Sequence, residues 1–145
     1  FDGKSLYEWK KTVTIGEYRA VRIAVKNLSG MTFDPCASFL HANFISDDGH
    51  HCETTSLFKA PKDIALPSPR IRTRPLFSGN SCEIRLTSDT FAKYVTIDTG
   101  DPGVRLSDNV FDLIPGQERI ILLFWRNQRI PQARLRKELR VTANW

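Results

Sequence analysis

No apolar run in this 145-residue sequence approaches the ~20 residues needed to cross a bilayer as a helix. No charged, apolar and small-residue leader opens it as a signal peptide would. The chain starts at Phe1 without an initiator Met and reads as a piece of a longer polypeptide, so the missing leader carries no information about where the parent goes. No segment has convincing helical periodicity, and no repeat of roughly 20–50 residues suggests a propeller or solenoid. There is no Gly-rich phosphate loop and no serine elbow. Cysteine is scarce: Cys36, Cys52 and Cys82 allow at most one internal disulfide. A turn at Asp47-Asp48-Gly49 sets Cys52 roughly opposite Asn43 and Cys36 several residues beyond, a gap that strains against the ~4.4–6.8 Å Cα separation of a disulfide. Buried free thiols are therefore expected.

The chain does contain the material of a soluble domain. Hydrophobic residues make up 41% and charged residues 26%, and a chain of this length buries roughly 68–70% of its unfolded surface. One domain over 1–145 is the expected organisation. The net charge of +5 is unevenly spread. Arg126, Arg129, Arg134, Arg136, Lys137 and Arg140 crowd the C-terminus, and Arg70, Arg72 and Arg74 alternate along one strand face. No nucleic-acid motif accompanies them, so a solvated or interdomain face is expected and nucleic acid is not an expected partner.

Period-2 alternation is the main structural signal. Residues 6–15 place Tyr7, Trp9, Val13 and Ile15 on one face, and residues 19–28 alternate Val21, Ile23 and Val25 with Arg22, Ala24 and Lys26. Residues 38–45 and 50–58 flank the turn at Ser46-Asp47-Asp48-Gly49 as a hairpin. Pro61, Pro67, Pro69 and Pro75 then punctuate a connection with room for a short edge strand at 70–74. After a turn at residues 78–80, Cys82, Ile84 and Leu86 face one way and Glu83, Arg85 and Thr87 the other. Val95 and Ile97 do the same against Tyr94, Thr96 and Asp98. Gly100-Asp101-Pro102-Gly103 breaks the ladder before Val104 or Leu106, and Pro115-Gly116 suits a type II turn. The apolar run 119–125 reads as a strand covered on both faces. Residues 126–132 read as a loop, 135–137 are ambiguous, and 139–143 alternate as a last strand. Eight or nine short strands between turn signals predict an all-β, antiparallel β-sandwich, without the Cys-Trp-Cys arrangement of antibody domains.

Reactive constellations are hard to assemble. Asp98, Asp101, Asp108 and Asp112 form the densest acidic cluster, but they sit in and around turns, where carboxylates stay hydrated, and glycoside hydrolysis needs a pair held at a set separation. Their spacing lacks the rhythm of a calcium loop. His50 and His51 point to opposite faces of a strand, so they cannot easily share a zinc ion with His41, and Cys52 diverges from His51 for the same reason. No catalytic residue, cofactor or metal site is assigned. Tyr7, Trp9, Tyr94 and Trp125 could stack on sugar rings, but each falls in a strand pattern and burial is expected. Asn27-Leu28-Ser29 is an N-glycosylation triplet that would suit a secreted or lysosomal parent.

Three motifs in order carry a family resemblance. These are the opening FDGKSLYEWKKTV, the segment LFKAPKDIAL at 57–66, and Asp98…Pro102-Gly103…Ser107-Asp108-Asn109…Phe111 before an apolar strand. Together they resemble the C-terminal immunoglobulin-like domain of β-mannosidases, the family 2 type glycoside hydrolases, and residues 134–142 look more like the animal enzymes. The resemblance implies an accessory sandwich, lacking one or two leading strands, in a multidomain enzyme that removes terminal β-linked mannose. Such enzymes carry their catalytic glutamates on a separate barrel, so this chain alone is expected to be inactive, with the other domains of the parent as its partners. A carbohydrate-binding module and a protein-interaction sandwich using the basic C-terminal face are the alternatives. The Ser107-Asp108-Asn109 step is expected to be an Asx-type turn.

Overall fold

Alternation in residues 82–87 becomes burial: Cys82, Ile84 and Leu86 are fully buried, while Glu83 and Arg85 reach the surface. The computed structural model describes residues 1–78, 81–125 and 131–144. Within them lie strands β1 (Phe39–Ile45), β2 (His51–Leu57), β3 (Ile71–Ser78), β4 (Ser81–Ser88), β5 (Ala92–Asp98), β6 (Val104–Leu106), β7 (Phe111–Leu113), β8 (Arg119–Trp125) and β9 (Arg140–Ala143), with helix α1 (Gln132–Glu138) before the last. All pairings are antiparallel.

A four-stranded sheet of order β3-β4-β8-β6 faces a three-stranded sheet of order β7-β5-β9. Between them Ile84, Leu86, Ile121 and Leu123 meet Val95, Ile97, Phe111 and Leu113 in one apolar layer. Leu135 of α1 is fully buried and closes one end of that layer. The hairpin β1-β2 forms its own sheet, with a turn bonded from Gly49 N–H to the Ser46 carbonyl (3.0 Å). Gly49 takes φ +85°, the left-handed position such a turn demands. Pro115-Gly116 forms the expected type II geometry, with Gly116 at φ +74° and Gln117 N–H bonded to the Ile114 carbonyl at 3.1 Å. The hairpin reaches the sandwich partly through rings: Phe39 stacks on Phe91 at 4.3 Å, and Phe1 stacks on both.

Several strand expectations change. Residues 6–15 and 19–28 form no strand, and Tyr7, Trp9, Val21 and Val25 stay exposed. Alternation is necessary for a half-buried strand but supplies neither a neighbouring edge nor a surface to cover, and the described residues give these segments neither. The expected short edge strand at 70–74 is the eight-residue β3, which tolerates Pro75 because it stands at the sheet edge. Residues 132–138, of which 132 reads as loop and 135–137 as ambiguous, form α1 around the Leu135 anchor. The turn at residues 78–80 and the loop at 126–132 fall partly outside the described residues.

The run 119–125 is covered on one face only. Ile121 and Leu123 are buried, whereas Ile120 (46%), Leu122 (38%) and Phe124 (46%) are exposed. Its continuous hydrophobicity therefore does not mark a central, doubly covered strand. Burial of the cysteines also differs: Cys82 is buried, Cys36 is intermediate and Cys52 is exposed, all three as free thiols. Cys52 pairs in register with Phe44, one residue from the expected Asn43.

Neighbouring leucines on β8 give a direct check of this one-sided packing. Leu123→Ala should cost about 2–5 kcal/mol, with the cavity it opens added to the lost burial. Leu122→Ala should stay within about 0.5 kcal/mol. Urea unfolding of the two variants measures both values, and equal losses would contradict the assignment of faces.

Candidate functional site

The Ser107-Asp108-Asn109 step lies where both sheets and the hairpin converge. Ser107 joins the four-stranded sheet: its N–H donates to the Leu122 carbonyl and its Oγ accepts from Leu122 N–H, both at 2.9 Å. Asn109 joins the other sheet. Its Oδ1 accepts from Ile97 N–H at 2.8 Å and its Nδ2 donates to the Ile97 carbonyl at 3.1 Å. Continuing the Val95–Phe111 register by two residues brings Ile97 opposite Asn109. The side-chain amide therefore substitutes for a backbone ladder partner just before β7 begins. Val110 follows at φ +78°, a strained conformation for a β-branched residue, as the chain bends back into β7. Asp108 accepts from Nη2 of Arg119, the first residue of β8, at 2.8 Å, and it is this arginine that reaches the hairpin. The expected local Asx turn is instead a set of long-range bonds, although the side chains do bond backbone groups as foreseen.

Arg119 and Asp112 line an open cleft of about 350 Å³ between the hairpin and the sandwich. Arg119 also pairs with Glu53 of β2, and its guanidinium lies 4.7 Å above the Phe111 ring. Burial lowers the Arg119 pKa from its ordinary value, yet a guanidinium remains charged under all physiological conditions. Asp112 accepts from Lys93 Nζ (2.9 Å), from Tyr94 N–H (3.0 Å) and from Thr55 Oγ1. Tyr94 sits at φ +50° where the β5–β7 register slips, and the Lys93 ammonium covers its ring at 4.4 Å. Two of the three carboxylates here, Asp108 and Glu53, share Arg119, and the third has its own lysine.

This geometry sorts the four aspartates of the acidic cluster. Asp108 and Asp112 are drawn into the cleft as structural anchors. Asp98 and Asp101 cap the following turn, accepting from Gly100 N–H (2.8 Å) and Gly103 N–H (2.7 Å). The cluster is thus divided between two places, and its members in the cleft are held by cations rather than aimed at one another. Among the described residues no group of three or more His, Cys, Asp or Glu side chains could hold a metal ion. His50 pairs with Asp48 in the hairpin turn, while His41 faces Glu53 at 3.4 Å. Glu53, Lys93 and Arg119 complete the cleft. Each is a lone charge within a strand pattern, and only strand pairing reveals its partner.

Other expected features are dispersed. Tyr7, Trp9 and Tyr94 are exposed (51%, 41% and 47%), contrary to the burial expected of them, and Trp125 is half-buried. Lys26 lies over both the Tyr7 ring (5.7 Å) and the Trp9 ring (5.2 Å). Asn27 is exposed, with its Oδ1 accepting from Ser29 N–H at 2.9 Å, so the glycosylation triplet is accessible. Of the C-terminal basic cluster, Arg126 and Arg129 lie outside the described residues. Arg134 pairs with Glu138, Arg136 covers the Phe77 ring and Arg140 donates to the Lys137 carbonyl at 2.6 Å.

Two measurements address this arrangement. Asn109→Ala strands both polar groups of Ile97 and should cost about 1–3 kcal/mol. Chemical denaturation should record that loss with an unchanged m-value. His41 has its pKa lowered, first by burial and then by the charge of His51, and Glu53 does not reverse this because it is already engaged by Arg119. The fold thus favours the neutral ring. As pH falls below about 6.5 the unfolded chain takes up this proton before the folded one, so stability declines toward the lower folded pKa. Comparing urea midpoints at pH 7.5 and 5.5 should show a smaller decline in His41→Gln; an identical decline would contradict this reading.

Comparison with known proteins adds the family. A search of curated proteins gives no match. The family model Ig_mannosidase, described as an Ig-fold domain, matches residues 66–145, which is just over half of the chain. The matched segment contains all strands of the two facing sheets, the buried apolar layer and the Ser107–Asn109 seam. By this match and by its antiparallel sandwich, the chain belongs to the Ig-fold domain family of mannosidases.

Proposed function

We propose that the chain is a non-catalytic accessory domain of a β-mannosidase-type glycoside hydrolase, and that it acts by packing against the catalytic or neighbouring domains of the same polypeptide. The observation that carries this reading is how the acidic cluster is used. Retaining or inverting hydrolysis requires two carboxyl groups facing the same bond, one of them held protonated. Asp108 and Asp112 instead serve as anchors beside Arg119 and Lys93, and Asp98 and Asp101 cap a turn. The family membership supports a supporting role in a mannosidase; the β-linkage and terminal mannose are part of this proposal.

A second reading, carbohydrate binding, is favoured by the exposed Tyr7 and Trp9 rings beneath Lys26. Both readings meet in one experiment. The pure chain should release no nitrophenol from an aryl β-mannoside, while the complete parent should turn it over, and the chain should migrate unretarded through a mannan-containing gel. Turnover by the chain overturns the accessory role. Retardation abolished by Trp9→Ala establishes the second reading instead.

A further inference from the structure

The outer face of the four-stranded sheet is a second feature that the cleft does not absorb. Ile120, Leu122 and Phe124 stand in a row along β8, exposed, on an interior strand of the sheet. Register places Arg85 beside Ile120, Glu83 beside Leu122, and Arg105 of β6 beside Phe124. A shallow groove of about 360 Å³ opens where Phe124 meets Arg105, Leu106 and Ser107. On the far side, Arg72 and Arg74 of the edge strand point the same way as Arg85, because Arg74 and Arg85 are paired directly across the ladder. Like charges in that position destabilise a sheet. Glu83 and Glu118 both compensate Arg85, while Arg72, Arg74 and Arg105 have no ion pair among the described residues.

Charge on an edge strand normally guards against edge-to-edge association. That accounts for Arg72 and Arg74 but not for an aliphatic and aromatic row left in water two strands farther in. We infer that this face docks an apolar protein surface rimmed with carboxylates, located on the rest of the parent polypeptide; the inference rests on the packing role proposed above and specifies the surface that performs it. The apolar row supplies the desolvated centre and the arginines the polar rim, the anatomy of a protein interface. A carboxylate rim opposite would relieve the Arg74–Arg85 repulsion. A second copy of the chain fits poorly, since self-pairing brings arginines against arginines.

The test uses the complete parent and, alongside it, this chain. Leu122→Ser removes an apolar contact, and the pair Arg74→Glu with Arg105→Glu reverses the rim. In the parent, each change should speed proteolytic release of the domain by roughly tenfold or more. The effect of the charge reversals should shrink in 1 M salt, whose screening length is about 3 Å, while that of Leu122→Ser should persist. In the chain alone, none of them should lower melting appreciably, and Arg74→Glu should raise it slightly because it replaces the Arg74–Arg85 repulsion with an attraction. Unaltered release from the parent overturns the inference. So does dimerisation of the chain alone that Leu122→Ser abolishes, or its binding through Arg74 and Arg105 to phosphatidylserine vesicles. Assay of the same parent preparations against an aryl β-mannoside separates the two ideas: no turnover by the unmodified parent rejects the enzyme assignment, whereas faster release upholds the docking face in either case.

Discussion

Contact between two apolar sheet faces governs the rest of the molecule. Ile84, Leu86, Ile121 and Leu123 bring one half of the layer and Val95, Ile97 and Leu113 the other, and nearly all are sealed from solvent. Burying each such side chain contributes about 1.5–3 kcal/mol. Against the entropy of ordering the chain, that layer is the main favourable term that the described residues provide. Its position also explains why the buried apolar residues all fall between Phe91 and Leu135 or on β4: the segments before β3 contribute rings and polar contacts at the margin but no fully buried side chain.

Once the sheets are apposed, their free edges must be joined, and Ser107-Asp108-Asn109 does this with three short polar side chains. One serine continues the β8 ladder, one asparagine replaces a missing backbone partner on β5, and one aspartate engages the arginine that also holds the hairpin. A motif of acids and amides near turns invites a search for catalysis or metal binding. Its members are here occupied as strand partners and counter-ions. Asp112 shows the same economy, accepting from a backbone amide, a lysine and a threonine of the hairpin at once.

The sandwich was legible in residues 82–125 because alternation there coincides with turn chemistry at Pro102-Gly103 and Pro115-Gly116, so pattern and punctuation agree. Residues 6–28 have comparable alternation but no partner edge among the described residues, and pattern alone could not reveal that. β8 misled in the other direction. Its unbroken apolar run implied two covered faces, since sequence records hydrophobicity and not what covers it. Of the cleft, Asp108 and Asp112 stood out as acids, whereas Arg119, Lys93 and Glu53 became neighbours only through pairings 11 to 66 residues apart. Long-range ion pairs of this kind leave no local trace.

What remains is a domain whose cleft carboxylates are held by cations and whose four-stranded sheet leaves an apolar row on its outer face. Hydroxyl-radical footprinting of the chain alone and of the complete parent tests that account most directly. Phe124 and Leu122 should be oxidised readily in the chain and protected in the parent, while Ile121 and Leu123 stay protected in both. Equal oxidation of Phe124 in the two samples would contradict it.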